Sequence, residues 1–276
     1  MEDNEHLETD ALPFTPRFIP RHQPLARGQH PDDECYNMSH PNRGIALIFN
    51  HQFFDRPNYK ERRGTSFDRD AMANVLEKMG FELHIYQDLS CAEVLDKLEN
   101  VANMDHSKNS CLVVAVMSHG RTYGRISARD TEYTTSDMIE MFAGSKCPTL
   151  AGKPKLFFIQ ACRGERTDGG VRVETDSHGV GETVYTIPNM ADILIMYATV
   201  DGYFAWRDPQ KGGCFIQSLA KKLEAHHKEK DLLSILTLVN RDVAIGFQSR
   251  SADPNFHGKK EMCSIVSMLT RILYFN

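Results

Sequence analysis

Four short apolar runs restrict the fold of this chain more than any other feature. They are residues 44–49 (GIALIF), 111–117 (CLVVAVM), 155–159 (KLFFI) and 193–197 (ILIMY). Each is too short for a typical helix, rich in β-branched or aromatic residues, and apolar almost without interruption. A strand that packs on one face needs an apolar residue only at every second position, so continuous runs require a sheet covered on both faces. Helical patterns supply the cover. Residues 67–79 place Ala73, Val75, Leu76 and Met79 at helical spacing. Ser90 can cap a helix carrying Val94, Leu95, Leu98 and Val101. Thr135 or Ser136 opens a helix through Met138, Ile139 and Phe142, and further helices are expected around 214–226 and 231–246. Residues 81–86 alternate as a strand, 124–128 form a short segment, and 263–275 are strand-like. Strands alternating with helices predict an α/β fold with a parallel sheet.

Two of these runs end in reactive side chains. Run 111–117 leads into Ser118-His119-Gly120, and run 155–159 into Gln160-Ala161-Cys162-Arg163-Gly164. In an α/β sheet the carboxyl ends of parallel strands open on one crevice, so His119 and Cys162 can become neighbours there. An imidazole beside a thiol can take its proton and so make it a nucleophile near neutral pH. Singly, each has a bland explanation as a buried structural thiol or a hydrogen-bonded strand-end histidine. Their joint placement favours chemistry.

Charge and cysteine usage exclude several classes. Five acids and no base occupy the first ten residues, accounting for the whole net charge of −5. No basic stripe exists to hold nucleic acid. No apolar run reaches the roughly 20 residues of a membrane span, and the start lacks a signal-peptide core, so a cytoplasmic protein is expected. Seven scattered cysteines include no C-x-x-C pair, which argues against a disulfide framework or a zinc site. His226 and His227 are adjacent on a helical pattern and cannot share one ion. No cofactor is expected.

Pattern is absent from residues 1 to about 40 and from about 163 to 183, which are expected to be a mobile tail and an exposed linker. The same tetrapeptide type, aliphatic-Glu-Thr-Asp, occurs once in each: Leu7-Glu8-Thr9-Asp10 and Val173-Glu174-Thr175-Asp176. Two copies at two exposed places read as proteolytic sites.

Taken together, QACRG at 160–164, SHG at 118–120, RRGT at 62–65, YFAWR at 203–207 and SMLT at 267–270 resemble the caspases, and specifically the executioner type; the pentapeptide is an established signature of that family. The resemblance covers roughly residues 40–276. It implies a caspase-like, mostly parallel six-stranded sheet with helices on both faces, and a zymogen that cleaves after aspartate. Cys162 becomes the nucleophile and His119 the proton carrier, oriented by the Glu61 carbonyl. The N–H groups of Gly120 and Cys162 form the oxyanion hole, a role that suits a residue without a side chain. Arg63, Arg207 and Gln160 read the P1 aspartate, while Arg62 alternates away as a solvated charge. Phe204, Trp206, Asp208 and Cys214 shape the outer subsites. Domain divisions follow: pro-segment 1–10, mobile region 11–40, large subunit 41–176 and small subunit 177–276, with cuts after Asp10 and Asp176. Partners are proteins with exposed aspartate sites, an upstream activating caspase, inhibitor proteins, and a second copy joined through the last strand.

Two positions depart from the family pattern. Asp208 stands where executioners that accept an acidic P4 residue carry an amide, and Cys214 where they carry an indole. A carboxylate would repel acidic P4 and a lost indole leaves apolar room, so an aliphatic P4 is expected. Rival classes are an inactive caspase-like scaffold, which the intact His119 and Cys162 oppose, and a glutamine amidotransferase. The latter wants glycine where Gln160 stands.

Overall fold

The computed structural model describes residues 29–30, 32–164 and 188–276. Asp10, Asp176 and all but the ends of the expected tail and linker lie outside them. The elements run in chain order β1 (Asn42–Asn50), α1 (Thr65–Lys78), β2 (Glu82–Gln87), α2 (Cys91–Ala102), β3 (Asn109–Met117), β4 (Arg125–Ser127), β5 (Glu132–Thr134), α3 (Thr135–Glu140), β6 (Lys155–Gln160), β7 (Ile193–Tyr197), α4 (Cys214–His226), α5 (Leu232–Gly246) and β8 (Ser264–Ser267).

The four apolar runs are the four central strands. A six-stranded sheet has the order β2-β1-β3-β6-β7-β8, parallel throughout except that β8 lies antiparallel on β7. Strands β3, β6 and β7 are buried at every residue, as continuous apolar sequence demands. Two apolar clusters fill the two sides. One packs α1, α4 and α5 through Met72, Leu76, Leu219, Leu223 and Leu236. The other packs α2 and α3 through Val94, Leu98, Met138 and Ile139. Edge strand β2 is only partly covered: Leu83, His84 and Tyr86 are half-buried and Ile85 is exposed, so its burial does not follow the alternation of its sequence.

Helix starts follow local chemistry. Ser90 accepts the Glu93 N–H and Glu93 takes the Ser90 N–H in return, a complete capping box. Thr134, one residue earlier than expected, makes the equivalent box with Asp137. At the start of α1, Gly64 has φ +83°, and a Cβ there would sit 2.5 Å from the Asp208 carbonyl oxygen. Glycine at this corner lets the chain before α1 lie directly on the 208–209 loop.

Two boundaries differ from expectation. The run 263–275 forms a strand only over β8; beyond it Leu273 and Phe275 are buried and Ile272 forms a parallel bridge to Cys35. The segment expected to be mobile to residue 40 is pinned from about residue 33 by the same contact. Tyr36 N–H donates to the Ile272 carbonyl and Ile272 N–H to that of Glu34. The Tyr36 hydroxyl donates to buried Asp192 at 2.7 Å. Pairing across more than 230 residues leaves no trace in local periodicity.

Candidate active site

Strand register brings the thiol and the imidazole together. Met117 at the end of β3 pairs with Gln160 at the end of β6, and Ser118 N–H donates to the Gln160 carbonyl. His119 and Cys162 therefore each lie two residues beyond facing strand ends. Both line one cavity of about 860 Å³, with Gly120, Tyr59, Arg121 and Phe204.

His119 is half-buried against Phe54 and Tyr59, with ring centroids at 4.9 and 5.5 Å. Burial lowers its pKa to about 4; the Lys60 carbonyl opposes that shift, and the charges of Arg62 and Arg207 add to it. Its Nε2 bonds the Lys60 carbonyl at 2.8 Å, so the orienting group is Lys60 rather than the expected Glu61. Adjacent carbonyls in an extended segment face opposite ways, and one residue decides which meets the ring. Burial raises the Cys162 thiol above its ordinary value, while the Ala205 N–H on Sγ (3.4 Å), Arg62 and Arg207 pull it back. The resting pair at neutral pH is accordingly thiol and imidazole.

Gly120 sits hard against the nucleophile loop. A Cβ on it would lie 2.4 Å from the Cys162 carbonyl oxygen and 2.9 Å from the Ala161 Cβ. The residue is bridged to Ile126 in the pattern where its neighbours carry the bonds, Ser127 N to His119 O and Arg121 N to Arg125 O. Gly120's own N–H takes no part in that pairing.

The arginines reverse the expected assignment. Arg62 is 1% exposed. It donates to the His51 carbonyl at 2.9 Å and to Thr65 Oγ1 at 2.8 Å, and its charge acts on Cys162 and Arg207. Arg63 has a side chain 76% exposed, paired with Glu61 at 3.0 Å. Alternation does not govern this segment: residues 63–64 form a turn, with Thr65 N–H donating to the Arg62 carbonyl as α1 opens, and the inward position is Arg62. Arg207 donates from Nε to the Arg63 carbonyl at 2.8 Å, and burial lowers its pKa.

Buried Gln160 completes this corner. Its Nε2 reaches the Trp206 carbonyl at 3.5 Å, and its Oε1 has no hydrogen-bond partner among the described residues. Two buried acids missed by the sequence reading stabilise the same region. Asp68 accepts from Gly213 N–H and Gln217 Nε2 at 2.8 Å each and is raised by burial to about 6, with Arg62 and Arg207 pulling it down. Glu261 accepts the Trp206 N–H at 2.8 Å and is pushed by burial to about 8. Nothing in sequence marks a lone acid as buried, although an Asp in the first turn of an apolar-faced helix carries a weak signal.

Beyond Trp206 opens a second cavity of about 500 Å³, lined by Arg207, Asp208, Cys214 and Phe247, with Lys211 and Arg250 on its rim. Phe204 and Trp206 stand 6.3 Å apart and Phe247 packs on Trp206 at 6.2 Å. Asp208 is exposed and holds its own turn by accepting the Gln210 N–H. Arg163 stacks on Tyr197 at 4.1 Å and pairs with Asp201. Among the described residues no cluster fits a metal ion, and no helix is long and apolar enough to cross a membrane. His227 is buried and bonds the Leu223 carbonyl at the C-terminal end of α4.

An open α/β sheet carrying a thiol and an imidazole at the ends of adjacent strands defines a cysteine hydrolase. The caspase-domain model matches residues 43–274. The chain is 45% identical over 244 residues to Caspase-1 of Drosophila melanogaster, spanning 87% of this chain and 75% of that protein. It is 45% identical to Drosophila Caspase drICE over 87% of this chain and 72% of the relative. The crystal structure of Caspase-1 from Spodoptera frugiperda superposes with a TM-score of 0.86 at 42% identity, covering 91% of this chain and 99% of that one. The chain belongs to the caspase family. It is an aspartate-specific cysteine protease of executioner type, acting on protein substrates as a dimeric assembly of large and small subunits.

Proposed function

We propose that Cys162 and His119 carry the peptide-bond cleavage, and that Arg62, Arg207 and Gln160 hold the P1 aspartate. The observation that carries this is the Met117–Gln160 register, which sets imidazole and thiol on one cavity, beside the buried Arg62 and the half-buried Arg207. As Sγ attacks the carbonyl carbon, its proton passes to the imidazole nitrogen not held by Lys60. The N–H groups of Gly120 and Cys162 receive the developing oxyanion, a contribution of about 3 kcal/mol per donor. His119 then protonates the departing amine, leaving a thioester on Cys162. Water hydrolyses that ester with the imidazole again taking the proton. A carboxylate at P1 suits the fork geometry of arginine, and the Gln160 Nε2, held only by a long 3.5 Å contact to the Trp206 carbonyl, is the amide donor available to the same carboxylate.

The reading extends to maturation. Cleavage after Asp10 and Asp176 frees the pro-segment 1–10 and divides the chain into a large subunit ending at 176 and a small one from 177. His119 and Cys162 fall on the first and Arg207 on the second, so neither part holds a complete site. The second copy of the pair joins at β8, the outer strand of the sheet, where Val266 is exposed. An upstream caspase, inhibitor proteins and a cytoplasmic setting belong to the same proposal. The P4 side chain enters the cavity walled by Trp206, Cys214 and Phe247, with an aliphatic residue favoured. Lys211 and Arg250 also line this cavity.

The test compares wild type and Cys162→Ala on Val-Glu-Thr-Asp and Asp-Glu-Thr-Asp reporters, with mass spectrometry of the chain. Turnover and a cut after Asp176 in wild type, both lost in the variant, support the proposal. Turnover surviving in Cys162→Ala refutes the nucleophile, and faster cleavage of the Asp-P4 peptide refutes the aliphatic preference.

A further inference from the structure

Across His119 from the P1 corner stands an unbalanced group of charges. Glu132, 13% exposed, is surrounded by three guanidiniums. Its Oε1 accepts from Arg56 at 3.0 Å and from the Tyr59 hydroxyl at 2.6 Å. Arg121 and Arg125 lie farther off, at 3.7 and 3.6 Å, beyond hydrogen-bonding distance, with side chains 63% and 60% exposed. Arg56 and Arg121 stand over the Tyr59 ring at 4.0 and 5.4 Å, and that ring packs edge-on against His119. Lys60 lines the same cavity. The nearby acids are engaged elsewhere, Asp55 with Arg129 and Glu61 with Arg63 and Gln52. One carboxylate thus answers four cations.

We infer that Arg121 and Arg125, with Lys60 behind them, form a subsite for an acidic side chain on the leaving-group side of the scissile bond. This rests on the proposed roles of Cys162 and His119. The P1 corner fixes the direction of the substrate, because Gln160, Arg62 and Arg207 lie on the Trp206 side of the cleft. His119 must reach the departing nitrogen, so residues beyond it meet the chain that leaves. Tyr59, Lys60 and Arg121 occupy that position and share the cavity with Cys162. Arg121 directly follows Gly120, which ties its placement to the reacting carbonyl. A second carboxylate would give the loosely held guanidiniums the short contacts that Glu132 gives only to Arg56 and Tyr59. Neither candidate processing site supplies one: Asp10 is followed by ALPFT and Asp176 by SHGVG. The subsite therefore selects among substrates other than the chain itself.

Internally quenched peptides with Val-Glu-Thr-Asp before the cut, and Glu or Gln at P1′, P2′ or P3′, test the inference. At one of these positions Glu is expected to raise kcat/KM over Gln by roughly 1.5- to 5-fold, the range for a single exposed ion pair. The ratio should fall towards one in about 0.5 M salt, which screens exposed charges, and in the Arg121→Gln/Arg125→Gln double variant. A ratio of one at all three positions at low salt overturns the subsite, as does a preference unchanged in the double variant. Failure to cleave any of the peptides would instead strike the protease assignment itself.

Discussion

Exchanging the two neighbouring arginines in turn separates the structural assignment from the sequence expectation. Arg62 is 1% exposed and its charge acts on Cys162 and Arg207, whereas the Arg63 side chain is 76% exposed. Truncating one member of a buried, hydrogen-bonded charge pair costs about 2–5 kcal/mol, because the partner is left desolvated. If the P1 carboxylate is that partner, Arg62→Gln should lower kcat/KM by roughly 30-fold to several thousand-fold. Removing an exposed pair such as Arg63–Glu61 costs at most about 1 kcal/mol, so Arg63→Gln should stay within roughly fivefold. Glutamine at 62 can still donate to the His51 carbonyl, which limits damage to the fold, and urea unfolding of each variant checks it. The assay is hydrolysis of a Val-Glu-Thr-Asp reporter by active-site-titrated enzyme. A larger loss in Arg63→Gln than in Arg62→Gln, with both variants folded, would show that burial misidentifies the aspartate-reading side chain.

Two further outcomes are expected. Gly120→Ala would press a Cβ to 2.4 Å from the Cys162 carbonyl, so one loop must move, and misplaced oxyanion donors should lower kcat by roughly 100-fold or more with the far side of the sheet unaffected; near-normal kcat would refute the close approach. Glu261 has its carboxyl raised to about 8, above the value of about 4.5 it has when exposed, so wild type should lose stability as pH rises between those values; Glu261→Gln keeps an acceptor for Trp206 N–H without the charge, and its Tm relative to wild type should climb from pH 5 to pH 9, a flat difference refuting the buried ionisation.

Much of this architecture was legible because burial on both faces leaves so plain a mark. The continuous apolar runs of β1, β3, β6 and β7 named the sheet's centre, and the strand ends then delivered His119 and Cys162. Elements whose partners lie far along the chain were harder. The pairing of Cys35 with Ile272 and the short hairpin of β4 and β5 carry little local periodicity. At the site itself, residue type was readable and direction was not. Which of Lys60 and Glu61 turns its carbonyl to His119, and which of Arg62 and Arg63 turns inward, depends on where α1 begins at Thr65 and on the glycine turn before it. Asp68 and Glu261 stayed hidden because a single acid looks the same in sequence whether it is solvated or enclosed.

The placement of β6 beside β7 has a thermodynamic consequence. These adjacent central strands lie on either side of residues 165–187, and the Cys35–Ile272 pairing ties the first part of the chain to the last. A chain severed between those strands would still bury both apolar clusters, because each is built from residues on both sides of the cut. Its unfolding, however, would release two molecules instead of one. Resistance to heat would then rise with protein concentration and fall on dilution, whereas the uncut chain, at the level of this contact, would respond to neither.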